Sequence, residues 1–547
     1  MGTEYHVTID DGLRRGLKPY QGSMRNSELL TQATNVEIRE TGLVGLEDIE
    51  NPFASYPEVV SYPFPQLFIG KGVTLLVYET SIYSVDMSPG VGSWTTTLLT
   101  VWDALDVSLE KVIPAGEEPW QFIDMHDFWY LSSSKGILFK VHKDGMFTGG
   151  SDRVFFTSDF VSTAGCFHRG RVVLGGFVKS EFWNTTWGSL FTYWLGNLPA
   201  EFNPDFDIDI DAPGENWVMW SSIGGGDVPL MFIYPEFVMT PGVVGGTSGY
   251  GEAEPYIFQA LRRNELGWAP LPFQGEVLSL KSLGKNVVAY CEKGVALLTQ
   301  VSSPFPTFGI EVLSEIGIID KSAVAGDEKE HVYVDAKGAI HRVTNQGDQR
   351  LGYEDFLSDY LTNTIFVNFE PDRRRFYITT GSSFVIDKDN AVFILNSQGL
   401  SGCSSFIKVS SVNHIDGSLI GVFTDPGIGI MHYKSVDIIT EVLEMKYRGE
   451  KMITHVDLAM KHNSLYDVVD HAYVYILAKS GGDDSFTQYG PYAINEYGVC
   501  PDIRISGNEI KVRIYLTSTS GNAYVDFELD RIDVWYEITD KRWRRGI

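Results

Sequence analysis

The chain has little of what catalysis, export or metal binding would require. Its 547 residues include four cysteines, Cys166, Cys291, Cys403 and Cys500, no two of them close in sequence and none in a CxxC pair. That spacing excludes a zinc knuckle and a disulfide framework, and predicts buried free thiols in a reducing compartment. Positive charge is scarce: 43 Lys and Arg stand against 71 Asp and Glu, a formal net charge of −28. A surface that is basic throughout, as nucleic-acid or anionic-lipid binding needs, is excluded, although a local basic patch is not. The 11 histidines are scattered singly, so no histidine metal site is expected. No run of about 18 apolar residues occurs, so no membrane segment is expected. The opening MGTEYHVTIDDGLRRGLKPYQ lacks the apolar core of a secretory signal, and His6 stands where a myristoylation signal wants Ser or Thr. Synthesis and folding in a cytoplasm is the expectation.

Catalytic signatures are missing too. There is no HExxH, GxSxG, Walker loop or dinucleotide fingerprint, and none of the S-x-D-x-G-x-x-W turns of sialidase-type propellers. No enzyme activity, cofactor or metal is expected. The strongest acidic pattern is Asp205, Asp207, Asp209 and Asp211, which on a strand would share one face and make a weak Ca²⁺ candidate. A calcium loop wants Gly after its third Asp, and Ile210 stands there, so a solvated loop or edge strand kept from aggregating by charge is the favoured reading of the run.

What the sequence does have is 44% hydrophobic residues, 13% aromatics and 55 glycines, the composition of a folded chain rich in strands and turns. One grammar recurs: an apolar strand, a turn of Gly, Asp or Lys, and a second apolar strand, often followed by a third. Copies read at 66–86, 120–141, 164–177, 218–235, 276–299, 323–344, 365–380 and 411–433. The spacing of about 40 to 50 residues, stretched where loops are inserted, is that of a β-propeller blade. The expected fold is therefore all-β: a propeller of seven or eight blades over 61–438, with insertions near 178–216 and 236–270. Residues 1–60 are read as an irregular segment with a strand that joins the propeller's ends. From 439 to 547 longer strands with period-two alternation predict a smaller β-sandwich-like domain. In DFELDRIDVWYEI the alternation slips phase near Arg531, which predicts a bulge. Only 353–361 reads as helix.

Two basic clusters stand out against the acidic background. Lys541, Arg542, Trp543, Arg544 and Arg545 put four cations and an anchoring aromatic in five residues, and Arg14, Arg15 and Lys18 make a smaller group. They are candidate contacts for DNA or for an acidic face of a partner; a solvated, frayed terminus is the plain alternative for the first.

Several stretches resemble proteins of one kind. The segment IEVLSEIGIIDKSAVAGDEKEHVYVDAKGAIHRVTNQGDQRLGYEDFL (310–357) resembles a blade of tail-hub and nozzle proteins of short-tailed bacteriophages, and FFTSDFVSTAGCFHRGRVVLGGF (155–177) is similar to other blades of that group. NVEIRETGLVGLEDIENPF resembles their N-terminal strand, and DFELDRIDVWYEI with its basic end resembles the closing strand of many tail proteins. The resemblance implies a virion tail protein made in the bacterial host cytoplasm. It implies a homo-oligomeric ring, commonly of six copies, below the portal and adaptor rings, which continues the DNA channel, helps retain packaged DNA and bears a fibre, spike or needle protein. DNA would pass an acidic lumen without sequence-specific binding, because like charge gives it nowhere to hold. The rival from another class is a glycan-binding or glycan-cleaving propeller, for which the Trp and Tyr content and the acidic loops speak.

Overall fold

The computed structural model describes residues 4–19, 29–53, 66–69, 74–78, 81–103, 119–124, 128–133, 138–142, 153–157, 162–177, 215–220, 267–301, 308–362, 364–381, 391–403, 409–415, 418–423, 430–431, 433, 435–445, 449–461, 472–495, 497–517 and 527–539. The chain is all-β and divides into two compact units. One comprises Tyr56–Gly352 with Phe356–Asn368; the other comprises Met1–Ser55, Tyr353–Asp355 and Phe369–Ile547.

The first unit repeats a single motif, the antiparallel meander in which each strand pairs with the next. The first meander is Gln66–Ile69, Thr74–Tyr78, Ser81–Asp86 and Thr95–Leu98. The second is Gln121–Asp124, Phe128–Ser132, Leu138–His142 and Arg153–Thr157, with Thr100–Asp103 added in parallel at its edge. The third is Ser162–His168, Arg171–Phe177, Trp217–Trp220 and Gly267–Pro270. The fourth is Val277–Leu283, Asn286–Cys291, Gly294–Gln300 and Phe308–Ser314. The fifth is Val324–Gly326, Glu330–Val334, Ile340–Thr344 and Gly347–Gly352.

A four-stranded sheet alone leaves two faces wet, so the meanders bury them against one another. Ala164, Val173, Val218 and Trp220 of the third pack with Val277, Leu280, Val287 and Ala289 of the fourth. The fourth turns Leu283, Val288, Tyr290 and Val295 to Val324, Tyr333 and Val343 of the fifth. Burial on both faces explains why Arg171–Phe177 reads as a continuous apolar run without alternation.

The stretch 218–235 does not open a meander of its own. Trp217–Trp220 is the third strand of the third meander, paired with Arg171–Phe177 and with Gly267–Pro270. Residues 178–216 therefore join adjacent strands of one sheet. The helix expected at 353–361 is a short α-helix, Glu354–Leu357, continued by a 3₁₀ turn, Ser358–Tyr360.

The second unit holds one more four-stranded sheet, Val409–Ile415, Ser418–Phe423, Ile49–Glu50 and Ile430–Met431, in which an N-terminal strand sits among late ones. Eight strands of a nine-stranded sheet belong to this unit, in the order Arg375–Gly381, Ala391–Leu395, Leu400–Cys403, Leu30–Thr34, Ser435–Thr440, Glu509–Thr517, Ala472–Lys479 and Thr487–Ala493. A seven-stranded sheet centres on Glu528–Ile538, flanked by Glu4–Ile9, Gly42–Gly45 and Lys451–Lys461. The first fifty residues thus supply strands to all three sheets of this unit. Glu509–Thr517 alternates buried and half-buried residues along its whole length, as its sequence does. The phase slip near Arg531 is a register shift: Ala459 pairs with Arg531, Met460 with Leu529, and Asp530 is passed over.

Candidate functional site

The polar groups of the first unit gather where the first strands of its meanders begin. Gln66 opens the first meander, and its amide bonds the Trp120 main chain twice: Trp120 N–H donates to Oε1 (2.7 Å) and Nε2 donates to the Trp120 carbonyl (3.1 Å). Gln121 opens the second meander. It donates to Ser279 Oγ of the fourth (2.5 Å) and accepts from Gly165 N–H of the third (3.1 Å). Thr163 Oγ1 lies 3.0 Å from the Val277 carbonyl, and Ser132 Oγ donates to the Ser162 carbonyl (2.5 Å). Lys321, just before the fifth meander, is 6% exposed and donates from Nζ to the carbonyls of Ser133 (2.6 Å) and Ser132 (3.3 Å) in the second. Sheets two and three places apart in order therefore meet: the second and fourth through Gln121 and Ser279 on their first strands, and the second and fifth through Lys321 at the end of the strand Phe128–Ser132.

Half-buried Glu276 completes the group. Burial raises its pKa, a hydrogen bond to Thr163 and the charge of Lys321 pull it down, and Glu215 and Glu292 push it up again; the net direction is upward. The chemistry this arrangement performs is structural. Its amides, hydroxyls and ammonium bond main-chain groups of neighbouring sheets, which satisfies buried backbone and fixes the spacing of the meanders. The backbone is shaped for it: Gly176 has φ +67°, and a Cβ there would fall 1.9 Å from Thr163 Oγ1 and 2.6 Å from the Val277 carbonyl.

A second buried network joins the fourth and fifth meanders. Tyr290 OH lies 2.9 Å from His331 Nδ1, and His331 Nε2 donates to the Ser282 carbonyl (3.0 Å), which sets the tautomer. His168 bonds Ser282 Oγ (2.7 Å) and the Lys285 carbonyl (3.2 Å). Burial lowers both histidines to about 4. His341 is the opposite case. Burial would lower it, but Asp335 (3.3 Å) and Asp348 (2.9 Å) grip its two nitrogens and carry it up to about 9.

In the second unit Arg375 is fully buried with three carboxylates around it: Glu37 (3.3 Å), Glu370 (3.4 Å) and Glu47 (3.1 Å). On the outward face of the nine-stranded sheet Tyr473 lies opposite Tyr515, and Tyr475 opposite Arg513. The Arg513 guanidinium sits 5.5 Å from the Tyr475 ring and is gripped by both oxygens of Asp437 (2.8 and 2.7 Å) and by Gln488 (2.9 Å).

The residues singled out from sequence fare differently. Asp205, Asp207, Asp209 and Asp211 lie outside the described residues, as do Lys541, Arg542, Trp543, Arg544 and Arg545. Arg14 and Arg15 are exposed at the end of a short helix, Asp11–Arg15. Lys18 does not join them on the surface; it is buried, 3.3 Å from Glu441, which also meets Lys511. All four cysteines are buried and unbonded. Among the described residues no group of three or more His, Cys, Asp and Glu is arranged to hold a metal ion, and no helix is long and apolar enough to cross a membrane. Sequence reading passed over Gln66, Gln121, Lys321 and Glu276. A signal for the first two was present: QLFI and QFID each open a repeat with the same amide ahead of an apolar strand.

No family model matches the chain, and no curated protein matches it. Among solved structures it is similar to PorZ, a bacterial surface component of the type-IX secretion system of Porphyromonas gingivalis, at 9% identity and a TM-score of 0.34 over 72% of this chain; the chain spans 39% of PorZ. It is also similar to the WD40 domain of Neurospora crassa Pan2 (8%, TM-score 0.34, 72% of this chain and 92% of that one) and to the WD40 β-propeller domain of Doa1 (8%, TM-score 0.33, 70% and 94%). At such scores these likenesses carry no weight for fold or function.

Proposed function

We propose that the chain is a structural protein of a phage tail: a β-propeller of seven or eight blades with a C-terminal β-sandwich-like domain, assembled as a ring that continues the DNA channel below a portal and adaptor. The observation that carries this reading is the use made of the polar groups where the meanders meet. Lys321, Gln121, Gln66 and Thr163 are spent on main-chain and side-chain partners in neighbouring sheets, which suits a rigid scaffold that must hold its shape under load. The resemblance of 310–357 and 155–177 to tail-hub blades supplies the particular assembly. The net charge of −28 favours passage of DNA over retention at a wall. On this reading no bond is made or broken by the protein, and its partners are further copies of itself, the adaptor ring and a fibre, spike or needle.

A second reading has one observation in its favour. Tyr473, Tyr475 and Tyr515 on the outward sheet face, with Arg513 and Asp437 locked between them, offer flat rings and fixed polar groups of the kind that a glycan stacks on. The deciding experiment is the mass of the purified chain in solution, with and without a portal–adaptor complex. A closed ring on the complex supports the tail reading and gives the copy number. A chain that ignores the complex yet binds or cleaves glycans overturns it.

A further inference from the structure

The outward face of the seven-stranded sheet carries a pattern that the fold itself does not need. Three strands lie side by side there: Glu4–Ile9, Glu528–Ile538 and Lys451–Lys461. Across them runs a row of three rings. Trp535 stands between His6 (ring centroids 4.8 Å apart) and His455 (5.1 Å, planes within 15°). One row to one side Glu4 lies directly opposite Glu537, and one row to the other Asp533 lies opposite Asp457. Like charges directly opposite on a sheet destabilise it. Thr454 donates to Glu4 (2.6 Å), His455 Nδ1 lies 3.5 Å from Glu4, Thr8 donates to Asp533 (2.5 Å), and Arg531 reaches Asp533 (2.8 Å), which leaves Glu537 and Asp457 the acids to be offset from outside. The face thus reads acid, aromatic, acid, with about 7 Å between rows.

The chain contains the complement of that reading. Lys541, Trp543 and Arg545 recur at every second residue, so in an extended segment they share one side and read base, aromatic, base at the same spacing. They belong to a run of four cations in five residues in a chain with net charge −28. We infer that residues 541–545 of one copy dock across the Glu537–Trp535–Asp533 face of a second copy. Trp543 stacks on the His6–Trp535–His455 row, while Lys541 and Arg545 enter the two acid pairs and relieve their repulsion. The contact is heterologous, tail to face, so each copy keeps a free face and a free tail until a ring closes. This deepens the ring reading above, since it names the contact that would build the ring.

Reciprocal charge reversal in the full chain tests it. One variant carries Lys541→Glu and Arg545→Glu; the other carries Glu537→Lys and Asp457→Lys. Sedimentation gives the mass of each alone and of the two mixed. The expected result is a wild type that self-associates, two variants that each associate at least about tenfold more weakly, and a mixture that regains association, because the intact tail of one meets the intact face of the other and the reversed tail meets the reversed face with the charges exchanged. Trp543→Ala leaves every charge in place and is expected to weaken assembly as well. Variants that assemble like wild type overturn the contact and leave the ring reading standing. A mixture that stays monomeric overturns it too, since the tail then serves its own chain. A wild type that is monomeric alone also overturns it, while the ring reading is judged separately on the portal–adaptor complex.

Discussion

At the scale of single residues, burial and buried ion pairs set the histidines against one another in pH. His331 and His168, held neutral with pKa values near 4, are stable in their sites only while unprotonated. In the unfolded chain they take up a proton near 6.5, so their contribution is complete above that pH and is lost as the pH falls towards 4, by up to about 1.4 kcal/mol per unit for each. His341 has the opposite sign. Its folded pKa of about 9 exceeds the unfolded value, so its contribution is complete below 6.5 and disappears as the pH rises through 9. Urea unfolding midpoints across this range are expected to fall on both sides. His331→Gln should flatten the acid limb and His341→Gln the alkaline limb; a His341→Gln curve that keeps its alkaline slope would show that the Asp335–His341–Asp348 grip contributes nothing. The cysteines follow the same rule of burial. Cys166, Cys291 and Cys403 are pushed up to about 12, and thiols so protonated are poor nucleophiles.

At the scale of elements, strands were legible wherever the burial pattern was simple. The copies at 66–86, 276–299 and 323–344 each match three successive strands of one meander. The strands near the C-terminus show the alternation their sequence carries, and even the bulge at Arg531 was foreshadowed by a broken phase. The misreading at 218–235 has a physical cause: pairing is set by which strand lies alongside, and a 39-residue connection hides from the sequence that Trp217–Trp220 returns to the sheet it left. Two substitutions test the joints between elements. Gly176→Ala puts a Cβ against Thr163 and the Val277 carbonyl at positive φ, and is expected to cost more than about 1 kcal/mol in thermal or urea unfolding. Arg375→Met takes the Arg375 ion pair from fully buried Glu370, while Glu37 keeps Arg39 and part-exposed Glu47 keeps Arg373, and the expected loss is about 3–5 kcal/mol. Wild-type stability for Arg375→Met would mean that Glu370 is protonated or hydrated in the native protein.

For the whole molecule the decisive property is the mismatch between its overall charge and the basic run at 541–545. A chain of net charge −28 repels its own copies, so a specific association must be local and electrostatic. The tail-to-face contact therefore predicts a salt response of definite sign: association by sedimentation should weaken as ionic strength rises from about 0.1 M to about 1 M, where the Debye length falls from about 10 Å to about 3 Å. Association that strengthens with salt would point to an apolar interface elsewhere on the molecule.

The sequence alone determined the all-β class, the recurring strand–turn–strand unit, the buried thiols and the acidic character, because each depends on composition or on short-range periodicity. Only the tertiary structure decided that the first fifty residues supply strands to sheets built mainly from the last two hundred, that Lys18 is buried against Glu441, and that Gln121 meets Ser279 and Lys321 meets Ser133 although 158 and 188 positions separate them. Those are long-range pairings. They follow from which apolar faces cover one another and where buried main-chain groups find partners, and no local pattern records that choice.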